Sequence, residues 1–230
     1  MKLSIIVPCY NEEETVGEVL KRVLALQLPC EVEVMVVDDG STDNSMEIVA
    51  KFPHVHLIRH EINKGKGAAI RTGIERSSGD VFLIQDADLE YFPEDIPQLL
   101  QPILADKADV VLGSRFLGEP IGMSRSHLLA NKTLSYATRA LFGSRTTDLM
   151  TGYKVFTRKA LRKFSVNSTS FDVEAELVGK FLNWRLRVTE IPIHYEYRKK
   201  GRAKITWRHG FTSLWTLFKI KFCGFWQTAL

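Results

Sequence analysis

Cysteine is scarce in these 230 residues: Cys9, Cys30 and Cys223 are odd in number and widely scattered. No Cys-x-x-Cys pair or Cys/His spacing occurs, so neither a disulfide framework nor a zinc site is indicated, and a reduced, cytosolic setting is the simplest expectation. Long apolar runs are missing too. No uncharged stretch reaches the roughly 18 residues of a membrane span. The apolar start Leu3–Val7 stops at Pro8, too short for a signal peptide. If the protein meets a membrane, it does so from the surface. Glycine (15) and proline (8) are too few for a collagen-like chain, and 45% hydrophobic residues are too many for a disordered one.

Charge of one sign is lacking only on average. The chain carries 31 basic and 27 acidic side chains, a net +4. Residues 1–150 hold 15 Lys/Arg against 22 Asp/Glu, a net −7, whereas residues 151–230 hold 16 against 5, a net +11. An acidic body and a basic final section point to nucleic acid, a membrane surface or a polyanionic ligand.

What is present is an alternation. Leu3–Val7, Val32–Val37, Val55–Ile58, Val81–Ile84 and Val110–Leu112 are apolar runs rich in β-branched residues, interrupted only by Ser4, Glu33 and His56, as strands buried on both faces require. Between them, Glu12–Leu26, Ser45–Phe52, Gly67–Ser77 and Pro93–Ala105 repeat apolar residues at helical spacing. The order predicts an α/β fold with a doubly wound, mostly parallel sheet. Beyond residue 116 the spacing predicts a loop over Leu117–Ser126, a helix over Leu128–Leu141 and a polar loop over Ser144–Thr151. A helix over Val173–Leu182 with Asp172 as its N-cap follows, then a strand over Val188–Tyr197 and a basic loop over Arg198–Lys204. Last comes a long amphipathic pattern over Thr206–Trp226. No repeat or low-complexity linker divides the chain, so 1–230 reads as one domain.

Ligands of such sheets bind beyond the carboxyl ends of the strands. There the sequence places Asp38-Asp39 after the second strand, Asp86-Ala87-Asp88-Leu89-Glu90 after the fourth and Arg115 after the fifth. Asp86 and Asp88 can share a divalent cation, with Glu90 as a third oxygen ligand; hard oxygens in small number suit Mg²⁺ or Mn²⁺. A solvated acidic turn is the plain alternative. Asp38 and Asp39 can accept from a nucleobase or ribose, while one of Asp39, Ser41, Thr42 and Asp43 caps the next helix. Asn63-Lys64-Gly65-Lys66-Gly67 opens a helix with glycines and lysines, a weak phosphate signal that is neither a P-loop nor a dinucleotide fingerprint. Arg115, Arg125, Arg198, Arg202 and Lys204 are the candidate phosphate partners.

These residues resemble the family 2 inverting glycosyltransferases of GT-A fold. The resemblance rests on Ile5–Glu12, Val36–Asp43, Asn63–Gly67 and Asp86-Ala87-Asp88. Gly113–Phe116, Asp148–Lys154, Phe171–Glu174 and Arg198–Lys204 narrow it to the polyprenyl-phosphate sugar transferases, which include dolichol-phosphate mannose synthases and dolichyl-phosphate glucosyltransferases. The resemblance implies a nucleotide-sugar-binding half (1–116), an acceptor half (117–204) and an amphipathic, membrane-interfacial helix (205–230). It implies that Pro8, Tyr10, Glu12, Val37 and Asp39 hold the nucleoside, with Lys66 also on the donor side. Asp86, Ala87, Asp88 and Glu90 then surround metal and diphosphate, and Arg115, Arg198 and Lys204 bind donor diphosphate or lipid phosphate. The family's basic loop usually ends in Ser-Lys; here Ala203 precedes Lys204 and a hydroxyl is lost. Many relatives also carry C-terminal membrane helices.

The expected reaction is transfer of a hexosyl group from a nucleotide sugar, of GDP-mannose or UDP-glucose type, to polyprenyl or dolichyl phosphate, with inversion and a divalent metal. A phosphate nucleophile is already anionic, so no general base is obligatory. Asp148 and Asp172 are then orienting groups; one becomes a base if the acceptor is a saccharide hydroxyl, which is the alternative reaction. Phe211, Leu214, Trp215, Phe218, Phe222, Phe225 and Trp226 make an apolar face with basic neighbours, as an interfacial helix has; packing on the core or on another copy stays open. These aromatics do not interleave with the Arg/Lys cluster as stacking platforms would, so nucleic acid is not expected as a partner. The expected location is the cytoplasmic face of a membrane, reached peripherally or through a membrane protein.

Overall fold

The computed structural model describes residues 1–198 and 207–223. Its first half keeps the predicted alternation: β1 (Lys2–Cys9), α1 (Val16–Leu24), β2 (Glu31–Asp38), α2 (Ser45–Val49), β3 (Val55–Arg59), α3 (Lys66–Arg76) and β4 (Val81–Ile84). A 3₁₀ turn at Pro93–Asp95 leads into α4 (Ile96–Leu104), then β5 (Val110–Ser114). The second half adds β6 (Pro120–Ile121), α5 (Arg125–Phe142), β7 (Lys154–Thr157), α6 (Arg158–Leu161) and α7 (Val173–Asn183). It ends with β8 (Val188–Pro192), β9 (Tyr195–Glu196) and α8 (Trp207–Phe222).

Seven strands form one sheet in the order β3-β2-β1-β4-β7-β5-β8, and β6 pairs with β9 in a small second sheet. All neighbours in the large sheet are parallel except those of β7, which runs antiparallel between β4 and β5, with Val81 opposite Thr157 and Val110 opposite Phe156. The sheet is thus α/β and mostly parallel, as expected, but β4 and β5 are not neighbours. The strand expected over Val188–Tyr197 is two, β8 in the large sheet and β9 in the small one. The Leu117–Ser126 loop holds β6 and releases into α5 at Arg125, capped by Ser124 Oγ on the His127 amide. At α7, Asp172 occupies the N-cap position but its side chain caps nothing.

Successive strand residues face opposite ways, and each face has its own core. Leu3, Ile5, Val7 and Leu83 pack with α1 and α4 on one side. Ile6, Phe82, Ile84 and Phe156 pack with α7 residues Leu177, Val178 and Phe181 on the other. Each such fully buried side chain contributes about 1.5–3 kcal/mol relative to exposure. This double burial fixes the strands, and the strands fix the edge from which the site is built. No described helix is long and apolar enough to cross a membrane.

Candidate active site

The carboxyl ends of β1, β2 and β4 open into one cavity of about 760 Å³. Its wall includes Pro8, Tyr10, Glu12 and Asp39, then Lys66, Asp86, Ala87, Asp88 and Glu90, and finally Arg115 and Arg198. Eleven sequence-predicted residues from distant parts of the chain therefore meet in one place. Two turns carry non-glycine residues in left-handed backbone, Asn11 after β1 (φ 50°) and Leu89 between Asp88 and Glu90 (φ 61°). Such conformations cost about 1–2 kcal/mol each and concentrate where geometry serves a site.

Each acid of the Asp86-Ala87-Asp88 turn meets a cation from elsewhere in the chain. Lys66 Nζ lies 2.7 Å from Asp86 Oδ1 and 2.8 Å from Glu174 Oε1. The other Glu174 oxygen accepts from Lys154, whose ammonium also donates to the Thr151 carbonyl in the core. Burial works against the Lys66 ammonium, but Asp86 and Glu174 outweigh it and raise its pKa. Lys154, fully buried, is lowered by burial despite Glu174. Gly152 makes room for Asp86: a Cβ there would lie 2.3 Å from Asp86 Oδ2.

Asp88 pairs with the Arg198 guanidinium. The same guanidinium donates from Nε to Glu90 Oε1 at 3.0 Å and approaches Glu12 Oε1 at 3.4 Å. The second Glu90 oxygen accepts from the Tyr195 hydroxyl at 2.6 Å. Among the described residues, one arginine is shared by Asp88, Glu90 and Glu12. Burial, then repulsion from Asp86 and Glu90, pushes the Asp88 carboxyl up to about 7, with Arg198 opposing.

Those groups decide how a divalent cation fits. Asp86 and Asp88 offer two hard oxygen ligands on one turn, and the raised Asp88 marks a place short of positive charge. The expected third ligand is not assembled. Both Glu90 oxygens are turned to Arg198 and Tyr195, and among the described residues no three acids, histidines or cysteines are grouped to hold a metal. Two carboxylates, with diphosphate oxygens and water completing the shell, are the donor set that fits.

Arg115 is fixed from behind. Its Nε and Nη2 donate to the two Asp148 oxygens, each at 2.7 Å, and its backbone N–H donates to Asp148 at 3.0 Å. Asp148 is fully buried and off the cavity wall, so it orients Arg115 rather than facing a ligand. Burial opposes the guanidinium charge, but Asp148 holds its pKa well above normal.

Sequence reasoning placed a phosphate cradle at the start of α3, and there the structure differs. The Gly67 and Ala68 amides donate to the Thr169 carbonyl at 2.9 and 3.3 Å, so the helix end is already occupied. A Cβ on Gly65 or Gly67 would lie 2.2 Å from the Thr169 or Ser168 carbonyl oxygen. The glycines therefore serve chain-to-chain contact, and Lys66 is bound to carboxylates. Nor does Asp39 cap α2; Asp43 supplies the local contact, accepting from the Ser45 amide at 3.0 Å. Val37 is fully buried in β2, with no face on the cavity.

The same wall carries the apolar Met123, Ala130, Leu134, Met150 and Phe171 among the polar Ser126, Asn131 and Ser170, with His127 on α5 and His209 on α8. Arg125 is exposed in the first turn of α5 and does not line it. Asp172 Oδ2 accepts from Ser168 Oγ at 2.8 Å and Thr216 Oγ1 at 3.3 Å, tying the 168–172 segment to α8 away from the cavity wall. Arg202 and Lys204 lie outside the described residues, as do Phe225 and Trp226. α8 buries Leu217 and Ile220 and leaves Phe211, Trp215, Phe218 and Phe222 exposed, with the Trp215 and Phe218 rings stacked at 5.6 Å. The residues that sequence reasoning assigned no site role are Glu174, Lys154, Tyr195, His127 and His209. Glu174 and Lys154 carried a signal, their places in Phe171–Glu174 and Asp148–Lys154.

Residues 4–165 match the family profile described as Glycosyl transferase family 2. The chain belongs to that family. Among curated family relatives, dolichol-phosphate mannosyltransferase of Pyrococcus furiosus is 30% identical over 230 residues, 96% of this chain and 64% of that one. UDP-N-acetylglucosamine–dolichyl-phosphate N-acetylglucosaminyltransferase of Methanococcus voltae is 29% identical over 89% of both chains. The chain thus spans less than two thirds of the Pyrococcus protein but most of the Methanococcus one. Among solved structures, Mycobacterium tuberculosis glucosyl-3-phosphoglycerate synthase, in complex with Mn²⁺, UDP and glucosyl-3-phosphoglycerate, superposes with a TM-score of 0.79. At 20% identity, over 96% of this chain and 80% of that one, it supports the fold.

Proposed function

We propose that this glycosyltransferase moves a hexosyl group from a nucleotide sugar to a polyprenyl phosphate, with inversion. The observation that carries the reading is one cavity whose wall joins the carboxylates and fixed cations of the sheet edge to the apolar Met123, Ala130, Leu134, Met150 and Phe171. Such a wall suits an anionic donor together with a phosphate on an apolar chain. The names of the archaeal relatives point the same way.

In the proposed reaction a phosphate oxygen of the acceptor forms a bond to the anomeric carbon. The bond from that carbon to the diphosphate oxygen breaks, and its electron pair leaves with the nucleoside diphosphate. Asp86 and Asp88 would hold a Mg²⁺ or Mn²⁺ ion, which would supply neutralisation of the leaving diphosphate. Arg115, locked by Asp148, presents a permanently charged guanidinium to phosphate oxygens without reorganising. Glu174 holds Lys66 against Asp86 and so fixes that carboxylate. Arg198 already sits on the acids; Arg202 and Lys204, which follow it in the sequence, are the proposed ligands of the acceptor phosphate. Both sequence halves contribute strands to one sheet, which supports one catalytic unit with 117–204 as its acceptor half.

Transfer to a saccharide hydroxyl is the second reading. It requires a base, and of the two candidates Asp148 is engaged with Arg115 and Asp172 with Ser168 and Thr216, both off the cavity wall. The exposed aromatic face of α8 supports peripheral attachment to the cytoplasmic face of a membrane. Radiolabelled UDP-glucose, GDP-mannose and UDP-N-acetylglucosamine, each with Mg²⁺ or Mn²⁺ and with or without polyprenyl phosphate, test the proposal. Label in the lipid phase from one donor is expected. Label in none, with transfer to soluble saccharide instead, would overturn the lipid acceptor.

A further inference from the structure

Arg198 brings one cation to three acids of the cavity wall, and each acid is held for it from behind. Asp88 turns Oδ2 to the guanidinium while its Oδ1 accepts from the Glu90 amide at 3.1 Å. Glu90 turns Oε1 to Arg198 Nε at 3.0 Å while its Oε2 accepts from the Tyr195 hydroxyl. Glu12 turns Oε1 toward Arg198 Nη1 at 3.4 Å while its Oε2 accepts from the Thr15 hydroxyl at 3.1 Å. The Arg198 side chain is 8% exposed, so dissolved ions screen this cluster little.

The same Asp88 carboxylate is one of the two ligands that a divalent ion has here. An ion that takes Asp88 Oδ2 meets the guanidinium already on that oxygen, and two cations on one shielded oxygen repel. Lys66 is placed otherwise: its ammonium bridges Asp86 to Glu174 and touches neither oxygen of Asp88 among the contacts of the described residues. The three acids also cannot trade Arg198 for an ion of their own. Their oxygens are spread along Nε, Nη1 and Nη2, and among the described residues no three acids are grouped to hold a metal. A diphosphate removes the conflict. Its oxygens add negative charge beside Asp86 and Asp88, and a guanidinium that has released Asp88 presents a planar fork of donors that matches phosphate.

We propose that Arg198 and the divalent cation compete for Asp88, so that metal binds weakly by itself and tightly once a nucleoside diphosphate accepts the displaced guanidinium. This rests on the nucleotide-sugar reading of the same cavity. Arg198 thereby couples the two ligands: what metal and nucleotide gain from each other passes through this side chain, and the gain is equal in both directions.

Metal affinity tests the competition without recourse to turnover. The full chain and Arg198→Gln are titrated with Mn²⁺, followed by the electron paramagnetic resonance signal of the free ion, without nucleotide and with UDP or GDP. Arg198→Gln is expected to bind Mn²⁺ alone at least about tenfold more tightly than wild type, and the factor by which nucleotide tightens Mn²⁺ should shrink by about tenfold. A side chain that only braced the acids would weaken metal binding when removed; equal or weaker Mn²⁺ affinity in the folded variant overturns the inference.

A second measurement uses the unaltered chain. Phenylglyoxal modifies accessible guanidinium groups, and peptide mass spectrometry reads the extent at Arg198. Its rate there should rise at least about fivefold with saturating Mn²⁺ alone and fall again when UDP or GDP joins the metal. A rate that Mn²⁺ leaves unchanged overturns the inference, while nucleotide-enhanced Mn²⁺ binding in the same samples leaves the nucleotide site intact. No Mn²⁺ binding with either nucleotide removes the reading of the site and the inference with it.

Discussion

Glu33 and Asp88 are carboxylates at opposite edges of one sheet, and their surroundings drive them opposite ways. Glu33 lies at the amino edge, where its oxygens accept from Ser4 Oγ at 2.6 Å, Ser78 N at 2.6 Å and Ser78 Oγ at 2.9 Å, with Lys2 Nζ 2.9 Å away. Burial alone would raise it, but these donors outweigh burial and hold its carboxyl at about 2. Asp88, at the carboxyl edge, has one arginine to share with Glu12 and Glu90, and burial and repulsion push it up to about 7. The amino edge saturates its charge and is finished structure. Among the described residues the carboxyl edge keeps, in Asp88, a buried acid whose charge burial and neighbouring acids oppose, and a bound cation would offset both. Perturbation of that sign, in a cleft, is what marks a functional acid.

Removing the unsatisfied acid is the sharpest way to break the comparison. Asp88→Ala should lower sugar transfer by about a thousandfold or more, because the diphosphate loses a metal ligand. Activity within a few fold would remove Asp88 from the site. Glu174→Gln tests the opposite case, an acid at the same edge that is fully paired. It leaves Lys154 buried without its counter-ion and should cost about 3–5 kcal/mol in denaturant unfolding. A loss of activity with unchanged stability would make Glu174 a site residue rather than a brace.

The pH dependence has opposite signs at the two edges. Glu33, depressed from 4.5 to about 2, contributes stability that is complete above the upper value and lost as pH falls toward the lower. Asp88, raised from 3.8 to about 7, takes stability away as pH climbs through that window, since its charged form is the strained one. Glu33→Gln should therefore destabilise by about 1–3 kcal/mol at neutral pH and converge with wild type near pH 2. Asp88→Asn should flatten the fall between pH 4 and 7 in a melting series. Parallel wild-type and variant curves would contradict either assignment. The smallest effect on folding belongs to α8. Trp215→Ser with Phe218→Ser should leave the melting temperature within about 2 °C, since both rings are exposed, yet reduce sedimentation with anionic vesicles. Undiminished sedimentation would free that face for another partner.

The difference between the edges also explains how far the sequence was legible. Five apolar-rich runs, broken only at Ser4, Glu33 and His56, announced the parallel strands, and the polar residues after them announced the acids, because backbone periodicity dictates both. β7 escaped notice since Lys154 breaks its apolar run; its ammonium is tolerated in the core only through Glu174 and the Thr151 carbonyl, contacts 20 and three residues away. The same holds for the pairing of Arg198 with Asp88, 110 residues apart, and for the Thr169 carbonyl that fills the start of α3. Glycine and lysine before a helix suggested a phosphate, and tertiary contact used them otherwise. Residue types at strand ends are written locally; which cation reaches which acid is decided by the fold.

The most direct test of the unsatisfied edge is Mn²⁺ binding followed by the electron paramagnetic resonance signal of the free ion, at pH 8 with UDP present. Saturable binding is expected for the wild-type chain, weakened at least about tenfold in Asp88→Asn and unchanged in Glu33→Gln. Equal affinities in wild type and Asp88→Asn would contradict the account.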